Sequence, residues 1–122
     1  MKISAKIHGV IDYIVGFLFV FMPLALDLDS DAAPAMVFQY LGIFTVVYSM
    51  LTRYEYGLVR VVPVKVHLGL DILSGIFLLM SPWIFGFAGE IFVPYVVFGL
   101  FEVLAGSFTS NKSGFNQKHG PR

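Results

Sequence analysis

The sequence predicts an all-α protein: a bundle of four transmembrane helices built from two parallel helical hairpins. Three observations predict it, namely an apolar composition, four apolar runs of membrane-crossing length, and an internal repeat that matches the first two runs to the last two. Of the 122 residues, 57% are hydrophobic and only 13% charged, where a soluble domain carries ~25% charged residues. The length suits one domain. A net charge of zero gives no reason to expect a nucleic-acid partner. The absence of cysteine excludes disulfides, Cys-based zinc sites, iron–sulfur clusters and thiol catalysis.

A helix needs ~20 apolar residues, range ~17–25, to cross a bilayer. The runs at 7–26, 35–51, 66–87 and 91–108 meet that length without the polar face of a soluble helix. The first run follows Lys2 and Lys6, a pattern that would also suit a signal peptide with a poor cleavage site at Ala33, Pro34 and Ala35. Asp12 within the apolar stretch, and a copy of the same segment in mid-chain, argue against cleavage. Asp31 is placed to cap the second run, with Pro34 in its first turn. Pro63 precedes the third run, and Pro82 lies near its far end, where a lost backbone hydrogen bond costs least. Trp83 suits the outer interface, and Tyr54 and Tyr56 the inner one. After the fourth run, the tail at 110–122 has no periodicity and is expected to be disordered and cytoplasmic, leaving 1–109 as the transmembrane domain.

Charge sets the expected topology. Lys2 and Lys6 precede the first run, Arg53, Arg60 and Lys65 lie between the second and third, and Lys112, Lys118 and Arg122 follow the fourth. The opposite loops carry Asp27, Asp29, Asp31 and Glu90 and no base. Short basic loops stay in the cytoplasm. Both termini are therefore expected there, in a multi-pass protein of the cell (plasma) membrane whose first partner is the lipid bilayer.

A shift of 59 places Lys6, His8, Asp12, Gly16 and Pro23 on Lys65, His67, Asp71, Gly75 and Pro82. A shift of 57 places GIFTVVYS at 42–49 on GLFEVLAG at 99–106. The repeat units span about 6–52 and 65–109. Because two runs separate the copies, both hairpins enter the membrane in the same direction, a parallel repeat rather than an inverted one. With Ser81, Pro82 and Trp83 in the third run, the chain resembles the SPW-repeat family of small bacterial and archaeal integral membrane proteins. That family is named for a Ser-Pro-Trp motif in the first of two transmembrane helices per repeat. The first unit departs from the motif, carrying Met22, Pro23 and Leu24. The resemblance covers nearly everything but the tail. It implies a polytopic membrane protein and carries no implied activity.

Residues four apart share a helix face. His8, Asp12 and Gly16 thus form one stripe, and His67, Asp71 and Gly75 another. Asp71 lies six residues after Lys65, ~9 Å along the helix, and Asp12 matches it after Lys6. Glu102 lies seven residues before Thr109, ~10 Å from that end, and Thr45 stands equally far before Thr52. Two aspartates, one glutamate and one threonine therefore share a level, with the two histidines one turn nearer the cytoplasm.

Three readings follow. In the structural one, Asp12 and Asp71 sit near the positive ends of their helices and the polar contacts are glue. In the second, the layer binds a cation or proton, or a Zn, Mn or Fe ion. Glu102 lies at the helix end that disfavours a negative charge, and three carboxyl groups at one level oppose each other's ionisation. In the third, the chain is a membrane-embedded enzyme, or a haem protein with His8 and His67 as axial ligands. No nucleophile–base set, phosphate loop or dinucleotide fingerprint is present, and no cofactor is required. Asp27, Asp29 and Asp31 lack the glycine and terminal glutamate of a calcium loop. Four helices enclose little volume, so any transport role calls for a homo-oligomer.

Overall fold

The computed structural model describes residues 2–52 and 57–110. Arg53, Tyr54 and Tyr56, and the tail from 111 onward, lie outside the described residues, and with them the expected inner-interface tyrosines and disordered tail. The described residues form four α-helices: α1 (Ala5–Ala25), α2 (Ala33–Met50), α3 (Val64–Ile84) and α4 (Val93–Ser107). The fold is all-α.

Each boundary has a local cause. Ser4 caps α1, its Oγ accepting from the Ile7 N–H at 3.2 Å. The expected cap of α2 by Asp31 does not form. Ala32 holds the N-cap position with no side-chain bond, and Asp31 instead donates its backbone N–H to Asp29 Oδ1 at 3.2 Å. Pro34 in the first turn sets the start of α2, as Pro63 at the N-cap does for α3. α1 and α3 end in the same way. Asp27 and Gly86 take left-handed φ values of 55° and 75°. The next N–H groups, of Leu28 and Phe87, return to the carbonyls of Pro23 and Pro82, each at 2.8 Å. This six-to-one closure satisfies a carbonyl that the helix end would leave bare.

α1, α2 and α3, of 21, 18 and 21 residues, are long and apolar enough to cross a membrane. α4 is shorter than expected: 15 residues, or ~22 Å. The apolar run from 91 loses its beginning to the turn after Gly86, and Pro94 at the helix start fixes where α4 begins.

α1 packs on α2 and α3 on α4, with α2 and α3 joining the two hairpins. Glycines set the closest approach. A Cβ on Gly42 would lie 2.7 Å from the Gly16 carbonyl oxygen, and one on Gly99 would lie 2.7 Å from that of Gly75. Small residues at helix crossings are what allow such contact in a membrane.

The interior has two halves. One is apolar and aromatic, centred on Phe19, Phe38, Leu78 and Tyr95, all fully buried. The Phe38 and Tyr95 rings stand 4.4 Å apart, and the Tyr95 hydroxyl donates to the Pro34 carbonyl at 2.6 Å. The other half is polar. Outward, Ile14, Phe17, Leu24, Tyr40, Leu73 and Val97 are exposed. Polar inside and apolar outside is the arrangement a bilayer demands. The chain is a multi-pass membrane protein.

Candidate functional site

The polar half is built at the N-terminal turns of α1 and α3. The backbone N–H of His8 bonds to the Ser4 carbonyl at 2.9 Å, and that of His67 to the Pro63 carbonyl at 3.0 Å, so both histidines lie at the first helical turn. The four-residue spacing stacks each aspartate behind its own histidine, and the two stripes face one another across the bundle. His8, Asp12, His67 and Asp71 are all buried.

The bonds cross between the hairpins. His8 Nε2 pairs with Asp71 Oδ2, and His67 Nε2 with Asp12 Oδ2. The contacts within each helix are longer, 3.1 Å from His8 Nε2 to Asp12 Oδ2 and 3.3 Å from His67 Nε2 to Asp71 Oδ2. One ligand-type atom from each of the four residues lies within 4.8 Å of all the others.

Two threonines stand behind the rings. His8 Nδ1 lies 2.7 Å from Thr109 Oγ1, and His67 Nδ1 lies 2.7 Å from Thr52 Oγ1. Each hydroxyl donates its one hydrogen to its own helix, Thr52 to the Tyr48 carbonyl at 2.6 Å and Thr109 to the Ala105 carbonyl at 2.5 Å. A hydroxyl has no second hydrogen, so each threonine must accept from its histidine. Both rings therefore carry a proton on Nδ1. Each Nε2–Oδ2 contact then holds one further proton, shared between imidazole and carboxyl group. Two histidines, two aspartates and two shared protons sum to zero charge, which makes burial of four ionisable groups tolerable.

Backbone pairing puts the threonines there. The Ile3 N–H donates to the Phe108 carbonyl at 2.7 Å, and the Ser110 N–H to the Ile3 carbonyl at 2.8 Å. In the other half of the chain, Val62 N–H donates to the Leu51 carbonyl at 2.7 Å. The segment leading into each hairpin is thus tied to the segment leaving the other, and Ile3 bridges Thr109 as Val62 bridges Thr52.

Tyr48 breaks the twofold pattern. Its hydroxyl donates to Asp71 Oδ1, and its ring packs edge-on against His67 at 4.8 Å. The equivalent position on α4 is Ala105, whose methyl group can donate nothing to Asp12.

The structure brings together four of the six residues singled out in the sequence. Glu102 and Thr45 are buried but stand outside that group of four, and Gly75 offers the space beside the Glu102 Cβ. Among the described residues, neither Glu102 oxygen has a hydrogen-bond partner, and neither do Thr45 Oγ1 and Ser49 Oγ. The sequence reading missed Thr52, Thr109 and Tyr48. The shift of 57 that pairs α2 with α4 also pairs Thr52 with Thr109, so the signal for the threonines was present.

Ser81, Pro82 and Trp83 lie far from this cluster, at the end of α3. The buried Ser81 Oγ donates to the Leu78 carbonyl at 2.7 Å, Pro82 supplies the carbonyl that closes the helix end, and exposed Trp83 stacks near Phe92 at 5.9 Å. The motif builds a turn. Met22, Pro23 and Leu24 build the same turn with the proline alone in common.

No curated protein and no solved structure matches the chain. A family model, the SPW repeat domain, matches residues 6–109, and this chain belongs to that family.

Proposed function

We propose that this protein is a non-enzymatic, multi-pass protein of the cell membrane that binds a cation or proton at the polar layer formed by His8, Asp12, His67 and Asp71, with both termini and the layer facing the cytoplasm. In this reading 1–109 works as one transmembrane domain and α4 crosses with the others. Glu102 and Thr45, expected at the level of the aspartates, are buried in the bundle outside that group of four. The observation that carries the reading is the crossed convergence of four ionisable side chains, from both hairpins, on one small volume. A group whose only task was to hold two helices together would not need four ionisable side chains, since polar contacts between membrane helices contribute only ~0.6 kcal/mol on average.

The bland alternative is a structural cluster. Haem is disfavoured, because the Asp12 and Asp71 carboxyl groups occupy the space between the two Nε2 atoms where a porphyrin iron would sit. Thermal unfolding of the purified protein, measured across a panel of cations and from pH 5 to 8, tests the proposal. The groups facing the histidines are Asp12 and Asp71 on α1 and α3 and Tyr48 on α2, with Glu102 on α4 beyond them. A cation- or pH-dependent profile that disappears in the Asp12→Asn/Asp71→Asn double variant is the expected result. An identical, flat profile in both proteins would leave only the structural role. Labelling of the 27–31 loop from the cytoplasmic side would overturn the orientation.

A further inference from the structure

We propose that the bound cation is a divalent transition-metal ion of the zinc type, held by His8 Nε2, His67 Nε2, Asp12 Oδ2 and Asp71 Oδ2 and exchanged for the two protons those atoms share. This rests on the cation-binding reading above and names its ligand.

Geometry supports it first. A tetrahedral ion with bonds of ~2.0–2.1 Å spaces its ligand atoms about 3.3 Å apart. The two contacts within helices, one in each, already measure 3.1 and 3.3 Å. The two crossed contacts are hydrogen bonds, and they lengthen to the same spacing once the shared proton leaves and the metal takes its place. All four atoms lie within 4.8 Å of one another, and the metal would draw the remaining pairs in to that spacing.

The outer groups are those of a metal-binding histidine. A ligating imidazole binds through one nitrogen and donates the other N–H to an oxygen, which fixes the ring and its tautomer. Thr52 and Thr109 accept from Nδ1 in both rings and leave both Nε2 atoms aimed at the centre. Tyr48 does for Asp71 what a supporting donor does for a ligating carboxylate, leaving Oδ2 inward while holding Oδ1.

Charge selects the valence. The metal enters, two protons leave, and two carboxylates balance two positive charges, so the site stays neutral throughout. A monovalent ion keeps the site neutral only by replacing one proton, which leaves one crossed hydrogen bond in place and so cannot take all four ligand atoms, and a trivalent ion in place of both protons would bury one positive charge. Ligand type selects the metal. Two imidazole nitrogens argue against calcium and magnesium, which take oxygen, and the lack of sulfur ligands argues against copper(I).

The experiment is titration of the metal-stripped full-length protein in detergent with Zn²⁺, with proton release followed by an indicator in weak buffer, and with Co²⁺ as a visible-absorption probe. The expected result is one Zn²⁺ per chain, about two protons released per ion, and a tetrahedral Co²⁺ spectrum that Zn²⁺ displaces. Asp71→Asn removes the binding, while His119→Ala, at the one other histidine in the sequence, keeps it. Where Asp71→Asn does not fold, Thr52→Val/Thr109→Val serves, lowering Zn²⁺ affinity 10–100-fold while keeping all four ligands. No stoichiometric Zn²⁺ binding by the wild-type protein, or binding untouched by these variants, would overturn the proposal. If the protein responds to pH through the cluster but binds no Zn²⁺, the metal is wrong and only the proton-binding form of the reading above stands. If it responds to neither, both fall.

Discussion

The two halves of the bundle obey the same twofold repeat and use it differently. In the polar half, equivalent positions carry identical residues: His8 and His67, Asp12 and Asp71, Thr52 and Thr109. In the apolar half they do not. Phe19 stands opposite Leu78, Phe38 opposite Tyr95, and Met22 opposite Ser81. Packing accepts different shapes as long as the volume is filled. A crossed hydrogen-bond network does not, because each donor must find its acceptor at a set distance and angle. Where the polar half does depart from symmetry, the departures lie on α2 and α4: Tyr48 against Ala105, Thr45 against Glu102.

The sharpest way to break this contrast is Asp71→Ala. It strands His8 and Tyr48 without their partner and should cost about 3–5 kcal/mol, the range for breaking a buried ion pair. Asp12→Ala should cost less, since Ala105, at the position equivalent to Tyr48, gives Asp12 no counterpart of that bond. Denaturant titration of both variants in micelles checks the order, and equal losses would count against the assigned role of Tyr48. Tyr48→Phe removes only that hydroxyl. Its expected cost is about 0.6–1.7 kcal/mol, as for a hydrogen bond between membrane helices, read as a shift in the thermal midpoint and in the ring-proton resonances of His67. In the apolar half, Phe19→Leu copies the residue at 78 and, as a partial large-to-small change, should cost about 1–2 kcal/mol. A larger loss there would mean that the apolar half is as exacting as the polar one. The smallest effect is expected at Glu102. Glu102→Gln keeps the shape of a buried group with no hydrogen-bond partner among the described residues and should be neutral or mildly stabilising, since a costly buried carboxyl group has gone. A clear destabilisation, measured by the same unfolding assay, would reveal a partner for that carboxyl group.

Much of this was legible in the sequence, because composition and period are local properties. The membrane class, the four helices and the two His–Asp–Gly stripes follow from run length and from the 3.6-residue turn, which decides which residues share a face. The boundaries were less legible. Asp31 has the chemistry of a cap, yet the chain turns one residue later and Ala32 takes the position. α4 came out short because a turn closed by Gly86 and a start set by Pro94 leave it fewer residues than its apolar run contains.

The site itself was only half legible. A helix period shows that His8 and Asp12 lie on one face, but says nothing about what stands across from them. That was decided by the tertiary structure. The glycine contacts of each hairpin and the pairing of Ile3 with Thr109 and Val62 with Thr52 set the two hairpins so that each histidine meets the aspartate of the other unit, not its own. The same pairing brings a threonine hydroxyl behind each ring, and with it the proton positions that leave the cluster neutral. Repeats determine which residues are equivalent; only packing determines which of them touch, because contact across a bundle depends on distances between chains that no period within one helix encodes.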